Sequence, residues 1–292
     1  MVLLTDRCDH VWTLRVNRPE TRNAVNFALM DALEEQISAA EQDESLRVFV
    51  LTGSDASNAF ISGGDLREFH QIKRSDEARE MSLRMIRLLD RIRALPCWTL
   101  AAVNGAAYGG GWEIMLAFDL RIASEEAIFG FTQGKFYLPP GWGGLASLQS
   151  AVGAQRAAFL LASQAILSAP QAHQAGLIHD YYPTSDYAQQ LARLTERLAL
   201  NDRTYIRYIK EQLFANDVAS AKGAASAKAT VSAKATTNTM ATTNTHDLAK
   251  AESEAESKIQ SKAKSEAEPF SRFWESEEHM RRVEDFLKKR SG

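Results

Sequence analysis

The chain has 292 residues, a formal net charge of −3, 45% hydrophobic residues and 24% charged residues. This composition is ordinary for a globular protein, and the small net charge argues against nucleic acid or an anionic membrane surface as a partner. At this length we expect one domain with an appendage rather than several domains.

The cysteines and histidines show no pattern of a disulfide framework or a metal site. Cys8 and Cys97 lie far apart without a CxxC pair, and the six histidines are scattered. We therefore expect no metal and a reducing, cytoplasmic compartment. Acidic residues soon after Met1 argue against a signal peptide, and no apolar stretch is long enough to cross a bilayer, so no membrane partner is expected.

The first half of the chain alternates between strand and helix patterns. Polar and apolar residues alternate over 11–17, which predicts a strand that Pro19 ends. Asn26 is expected to cap the helix that follows, because the apolar residues after it share one face. The continuous apolar runs 48–52 and 99–103 predict strands that are buried on both faces.

Further elements continue this alternation. A charged helix is expected over 76–94 and a short strand over 120–123, and helical patterns cover 155–166, 169–176 and 186–214. Strands that alternate with helices indicate an α/β fold with a largely buried sheet.

The composition changes after Phe214. Residues 219–267 are almost all Ala, Ser, Thr, Lys, Glu and Asn, and they cannot bury enough apolar surface to offset the entropy of ordering. Aromatic and apolar residues return from Phe270 at helical spacing. We therefore divide the chain into a core, 1–205, and a helical C-terminal region, 206–292, which a low-complexity insert at about 219–267 interrupts.

Two glycine-rich turns each follow a buried strand, at 62–65 (Ser-Gly-Gly-Asp) and 109–111 (Gly-Gly-Gly). Glycine lets a ligand reach bare backbone N–H groups, and the second turn opens a helix, whose N-terminus favours negative charge. Two such N–H groups facing each other would form an oxyanion hole. Either turn alone is more simply explained as a tight turn, whereas the pair, with Glu113 nearby, favours the oxyanion hole.

Glu113 lies in the first turn of an otherwise apolar helix. Burying a carboxylate there costs free energy unless it has a partner or a catalytic role. If it has a catalytic role, the raised pKa that burial gives it would suit a general acid or base. A glutamate at a helix N-terminus is also favoured by the helix dipole without any catalytic role. The spacing alone leaves both interpretations open. Asp119 and Arg121 are expected to form a structural ion pair or cap.

These turns and their surroundings resemble the crotonase (enoyl-CoA hydratase/isomerase) superfamily. The resemblance covers residues 10–214 and 270–290, and its motifs are specific only when taken together. The matching segments are 17–20 (NRPE) with 23–25 (NAV), 60–66 (FISGGDL), 102–113 (AVNGAAYGGGWE), 119–123 (DLRIA), 140–144 (PGWGG), Ala172 with 176–178 (GLI), and 286–290 (FLKKR).

The resemblance implies an α/β spiral of ββα turns over the core and a C-terminal helical region that builds homotrimers, often paired as hexamers. It implies an acyl-CoA thioester as the substrate, with CoA arriving as part of that substrate and no separate cofactor. By motif position, the thioester carbonyl would lie between the backbone N–H groups of Gly64 and Gly110. Those two donors would stabilise an enolate.

The resemblance also implies which residues contact the substrate. The loops at 22–25 and 61–66 would hold adenine and pantetheine, and the C-terminal motif would touch CoA, in many members from a neighbouring subunit. The residues implied for CoA are Arg22, Ala24, Ser62, Gly63, Asp65, Leu66, Phe286 and Lys289. Candidates for the acyl pocket are Phe69, Met81, Met85, Phe136, Tyr137 and Trp142, each of which would equally suit a core position.

One position departs from the family pattern. Typical hydratases use two glutamates; Glu113 matches the first, whereas the second falls at Gln133, which can orient water but cannot take a proton. We therefore expect a hydratase-like acyl-CoA lyase of fatty acid metabolism. The alternatives are an acyl-CoA decarboxylase of the ethylmalonyl-CoA or methylmalonyl-CoA type, which needs one acid, and a non-catalytic acyl-CoA-binding member.

Overall fold

The computed structural model describes residues 1–223, 257, 261 and 263–289. Most of the insert expected at about 219–267 therefore lies outside the described residues. Within the described residues the strands are, in chain order, β1 (Leu3–Cys8), β2 (Val11–Val16), β3 (Val48–Gly53), β4 (Ala59–Ile61), β5 (Trp98–Val103), β6 (Ala106–Tyr108), β7 (Leu120–Ser124), β8 (Ile128–Gly130), β9 (Ile166–Ser168) and β10 (Asp180–Tyr182).

The α-helices of the same residues fall between and after these strands. They are α1 (Phe27–Gln42), α2 (Leu66–Phe69), α3 (Ser75–Ala94), α4 (Gly110–Met115), α5 (Gly144–Val152), α6 (Ala154–Ala162), α7 (Ala169–Gln174), α8 (Thr184–Ala199), α9 (Arg203–Gly223), α10 (Glu268–Trp274) and α11 (Glu277–Lys289). Short 3-10 turns lie at Pro19–Thr21 and Gln133–Phe136, and a π-helical turn at Ala263–Ala267.

The larger sheet has the strand order β1-β2-β3-β5-β7-β10, and its strands from β2 onward are parallel. All residues of β3 are buried because helices cover both faces of the sheet. Alternate side chains of β3 belong to two apolar clusters: Phe49 joins the main core, whereas Val50 packs under α8 with Tyr187. The buried strands expected at 48–52 and 99–103 are thus confirmed, as is the α/β class.

The helix after Asn26 also forms as expected, because the Asn26 side chain accepts a hydrogen bond from the Leu29 N–H at 3.0 Å. Two other expectations are corrected. The helix expected over 155–166 ends at Ala162, since Ile166 starts β9. The pattern over 186–214 is two helices, because the Asp202 side chain caps a new helix by accepting from Tyr205 N–H at 2.9 Å.

Asp119 does not pair with Arg121 as expected. Its carboxylate instead lies 2.7 Å from the Lys210 ammonium of α9, and both side chains are buried. Lys210 also donates to the carbonyl oxygens of Leu95 and Cys97, while Arg121 donates to backbone carbonyls. The ion pair therefore joins α9 to the start of β7, an inner strand of the larger sheet.

The described C-terminal residues pack against the core. Glu266 and Ala267 are buried, so the folded C-terminal element begins before the boundary expected at residue 267. The Trp274 indole N–H donates to the Ile72 carbonyl at 3.1 Å, and the His279 ring lies 2.7 Å from the Phe136 carbonyl oxygen. These contacts place α10 against α3 and the segment that precedes it, and α11 against the 3-10 turn at Gln133–Phe136. The smaller sheet has the strand order β4-β6-β8-β9.

Candidate active site

The smaller sheet brings the two glycine-rich turns into contact. β4 and β6 are parallel neighbours, with Ile61 beside Ala107, so the turns that follow them leave the sheet at the same edge. A Cβ atom added to Gly63 would lie 3.7 Å from the backbone nitrogen of Gly110. The two turns are more than forty positions apart in the sequence, and the parallel pairing of β4 with β6 brings them together in the fold.

The backbone N–H groups of Gly64 and Gly110 are the donors implied for an oxyanion hole. Each follows a glycine with positive φ, +107° and +50°, a conformation that L-residues with a side chain rarely adopt. The turn around Gly64 is fixed by Val25, whose N–H donates to the Gly63 carbonyl and whose carbonyl accepts from Asp65. Neither of the two N–H groups donates a hydrogen bond within the described part of the chain.

The Trp142 indole ring packs over both glycines. A Cβ atom at Gly110 would come within 1.9 Å of this ring, and one at Gly64 would lie 3.6 Å from it and 3.0 Å from Phe69. The loop that carries the ring is held by Ser82 of α3, whose hydroxyl donates to the Gly141 carbonyl. Close packing therefore requires glycine at position 110 in addition to any need for an exposed N–H.

Glu113 is 3% exposed and lies beside these donors. Its Oε2 accepts from the backbone N–H groups of Trp142 at 2.8 Å and Gly144 at 3.1 Å. Its Oε1 accepts from the Gln133 side-chain amide at 3.2 Å and from Gly141 N–H at 3.4 Å. Oε2 is therefore the more tightly held oxygen, and Oε1 has the longer contacts on the side of Gln133.

Burial raises the pKa of Glu113 to about 7. The negative charge of Glu266 acts in the same direction, whereas the hydrogen bonds from Trp142, Gln133 and Gly141 act against it. A carboxyl group with a pKa near neutrality populates both protonation states at physiological pH, which is the property that a general acid or base needs.

Gln133 begins the 3-10 turn after β8 and connects Glu113 to Trp112. Its Nε2 donates to Glu113 as described, and its Oε1 accepts from the Trp112 indole N–H at 3.1 Å. The Trp112 ring is fully buried and packs against Phe131, with ring centroids 5.0 Å apart. The Gln133 amide is thus held by a hydrogen bond at its oxygen and another at its nitrogen.

These groups line one cavity of about 110 Å³, several times the space that a single water molecule needs. Its wall is mostly apolar. Within the described residues the lining comprises Ser62, Gly63, Gly64, Leu66, Phe69, Met81, Tyr108, Gly109, Gly110, Glu113, Thr132, Gln133, Phe136, Leu138, Pro139, Gly141, Trp142, Phe270 and Trp274. This set contains one carboxyl group, that of Glu113, and no lysine, arginine or histidine.

The four residues implied for catalysis, Glu113, Gly64, Gly110 and Gln133, all belong to this lining. Of the residues implied for substrate binding, some line the cavity and others do not. Those in the lining are Ser62, Gly63, Leu66, Phe69, Met81, Phe136 and Trp142. Those outside it are Arg22, Ala24, Asp65, Met85, Tyr137, Phe286 and Lys289.

Two of the residues outside the lining have clear structural contacts. Tyr137 is 42% exposed and its ring packs against Phe273, outside the cavity lining. Asp65 forms a buried ion pair with Arg18 at 2.8 Å and caps α2 through Arg67 N–H. Arg18 also donates to the Ala24 carbonyl, so it connects the loops at 22–25 and 61–66.

Sequence reasoning missed the far wall of the cavity. Phe270 and Trp274 come from α10, and their helical spacing predicted burial without indicating a partner. The backbone donors at Trp142 and Gly144 were missed as well, although the glycine at 144 was a signal: a Cβ atom there would lie 2.4 Å from Glu113 Cγ. Glu266 was missed because it falls within the segment expected to be an unfolded insert.

The described residues lack two kinds of structural feature. They contain no group of three or more His, Cys, Asp or Glu side chains placed to hold a metal ion. They also contain no helix that is long and apolar enough to span a membrane.

Comparison with known proteins places these features in a family. The enoyl-CoA hydratase/isomerase family model matches residues 7–258. The 2,3-dehydroadipyl-CoA hydratase of Escherichia coli (strain K12) is 37% identical over 193 residues, which cover 65% of this chain and 74% of that protein. The mitochondrial enoyl-CoA hydratase of Pongo abelii is 30% identical, over 70% of this chain and 69% of its own.

Solved structures give the same result for the fold. An enoyl-CoA hydratase from Bacillus anthracis superposes with a TM-score of 0.70 at 28% identity, covering 77% of this chain and 90% of that one. An enoyl-CoA hydratase from Mycobacterium avium subsp. paratuberculosis K-10 has a TM-score of 0.76 over 97% and 98% of the two chains, and at 22% identity it supports the fold alone. The expected crotonase fold is thus confirmed, and the chain belongs to the enoyl-CoA hydratase/isomerase family.

Proposed function

We propose that this protein is an acyl-CoA lyase of the hydratase type, which adds water across the double bond of a 2-enoyl-CoA thioester. The observation that supports it most directly is the meeting of three groups in one apolar cavity: the N–H groups of Gly64 and Gly110 and the carboxyl group of Glu113. The N–H pair supplies the electrostatic part of the reaction, and the carboxyl group supplies the proton transfer.

The proposed reaction uses one proton carrier. The thioester oxygen accepts hydrogen bonds from Gly64 and Gly110, which draws electrons from the double bond. Ionised Glu113 takes a proton from water while the water oxygen bonds to the β-carbon, and the electron pair of the double bond moves onto the thioester as an enolate. Glu113 then returns the proton to the α-carbon, and the carbonyl forms again. A pKa near 7 suits a group that must act in both directions.

We propose that the CoA moiety lies across the loops at 22–25 and 61–66, with the C-terminal residues Phe286 and Lys289 nearby. The Arg18 contacts support this placement, because they hold both loops in one arrangement before any ligand arrives. Phe286 packs against Phe136 of the cavity wall at a ring distance of 5.3 Å. No separate cofactor, metal, nucleic acid or membrane partner is part of the proposal.

We propose a homotrimer or a hexamer in the cytoplasm. Large apolar side chains remain exposed on α9, with Tyr205 at 51%, Tyr208 at 59% and Leu213 at 61% exposure, which supports burial against further copies. Light scattering on the full chain tests the assembly, and a monomer would contradict it.

A decarboxylase is the second candidate, because Gln133 replaces the second glutamate and Glu113 alone would suffice to protonate an enolate after loss of carbon dioxide. The described lining argues against it, since it offers no cationic side chain to the carboxylate of a malonyl-type acyl group. We therefore place hydration first.

A mass-spectrometric time course on the purified protein separates these functions. The substrates are crotonyl-CoA and ethylmalonyl-CoA, and the variants are Glu113→Gln and, as a matched control, Glu35→Gln on the exposed face of α1. Hydration predicts that crotonyl-CoA gains one water, with the activity lost in Glu113→Gln and kept in Glu35→Gln. Loss of carbon dioxide from ethylmalonyl-CoA alone would establish the decarboxylase. Binding of both thioesters without turnover would favour the non-catalytic member.

A further inference from the structure

The side chain of Trp112 has one polar atom, the indole nitrogen Nε1. The indole N–H can donate a hydrogen bond but cannot accept one. Its ring is fully buried and packs against Phe131, so it cannot turn toward solvent. The partner that it finds is the Gln133 side-chain oxygen at 3.1 Å.

This contact decides the orientation of the Gln133 amide. With its oxygen toward Trp112, the amide presents its NH₂ group to Glu113 Oε1 at 3.2 Å. The flipped amide would place two donors against each other at Trp112 and would place its oxygen against the Glu113 carboxylate. Both contacts would be repulsive, so the indole N–H and the carboxylate select the same orientation.

Glu113 depends on this amide because few other groups reach Oε1. The second donor to that oxygen, Gly141 N–H, is longer at 3.4 Å. β4, β6 and α5 pack against α4; they carry no charged residue, and Tyr108 of β6 is their titratable group. The 3-10 turn of Gln133 also contacts α4 and carries Lys135, which is exposed. Glu266 is the charged side chain whose field reaches Glu113 among the described residues.

We propose that Trp112 is a positioning residue that acts through Gln133, fixing its amide so that an N–H donor always faces Oε1 of Glu113. The position that holds a second glutamate in typical hydratases is here Gln133, which accepts a hydrogen bond from Trp112 and donates one to Glu113. We call this chain of two hydrogen bonds the relay. The catalytic meaning of this relay rests on the proposed function, whereas its effect on Glu113 is measurable without any substrate.

The test is an infrared titration of the Glu113 carboxyl group, identified as the band that Glu113→Gln removes. Replacing Trp112 by β-(3-benzothienyl)alanine keeps the shape of the ring and removes only the N–H donor, and Trp112→Phe is the simpler variant. Loss of the fixed amide should raise the Glu113 midpoint by about one to two pH units, the scale of one hydrogen bond to a charged group. Trp98→Phe is the matched control, because its indole N–H has no partner within the described residues.

A double-variant cycle distinguishes the relay from a packing effect. In a Gln133→Leu background, removal of the Trp112 donor should leave the midpoint unchanged, because the amide through which it acts is absent. An undiminished shift in that background would overturn the proposal, as would an unchanged midpoint in the benzothienyl protein. A shifted midpoint in a protein that turns over no thioester would uphold the relay and reject the proposed function.

Discussion

The raised pKa of Glu113 gives a prediction about stability. In the unfolded chain this carboxyl group ionises near its ordinary pKa of 4.5, whereas in the folded protein it holds its proton up to about pH 7. Between these values the folded state binds more protons than the unfolded state, so the free energy of unfolding falls as the pH rises. Above pH 7 the accumulated loss is about 3 kcal/mol, and below pH 4.5 it vanishes.

Glu113→Gln should remove this loss because glutamine does not ionise. We expect the free energy of unfolding of the variant, minus that of the parent protein, to rise by about 3 kcal/mol between pH 4.5 and 7.5 and then to level off. The difference at pH 4.5 measures everything that the substitution does apart from ionisation, such as the altered hydrogen bonds at Trp142 and Gly144.

Urea denaturation at fixed protein concentration, repeated every half pH unit, measures both proteins under identical conditions. Titration of all other groups cancels in the difference between the two free energies. A difference that stays flat from pH 5 to 7.5 would refute the reasoning, because it would mean that Glu113 ionises in the folded protein as readily as in the unfolded chain. Burial would then have no effect on the pKa of Glu113.

Three further substitutions test other parts of the structure. Gln133→Glu places a second carboxylate about 3.2 Å from the first, so the rise of kcat/KM with pH should move up by about one pH unit or more, and an unchanged profile would contradict this. Gly110→Ala forces a methyl group into the indole ring beside it and should lower kcat by about a hundredfold, while activity within twofold of the parent would contradict the packing argument. Lys210→Met leaves Asp119 buried without its counter-ion and should cost about 3–5 kcal/mol in urea denaturation. Arg207→Met on the same helix breaks an exposed ion pair, so a similar cost there would contradict the role of burial.

Local patterns in the sequence were sufficient for the framework of the site. The runs at 48–52 and 99–103 predicted buried strands because only a sheet covered on both faces accepts continuous apolar residues. The turns at 62–65 and 109–111 were expected to follow these two strands directly, but each follows a short additional strand, β4 or β6, which the sequence did not predict. Glu113 stood out because a carboxyl group in an apolar helix needs an explanation.

Contacts between distant parts of the chain could not be predicted in this way. The helical spacing of Phe270 and Trp274 predicts that they are buried, but it does not indicate which part of the core they pack against. In the structure they line the cavity. Trp112 gave no signal either, since a tryptophan in an apolar run is more simply a core residue. The backbone N–H groups that hold Glu113 have no side chain to mark them, and Asp119 has a nearer cation in the sequence than the one it binds.

The cavity wall contributed by α10 has a consequence for the order of events during synthesis. The ribosome completes the glycine-rich turns and Glu113 long before it reaches Phe270 and Trp274. Until those rings arrive, the cavity lacks the part of its wall that α10 supplies. The nascent chain thus carries Glu113 and the two glycine-rich turns before the cavity around them is closed on the side of α10.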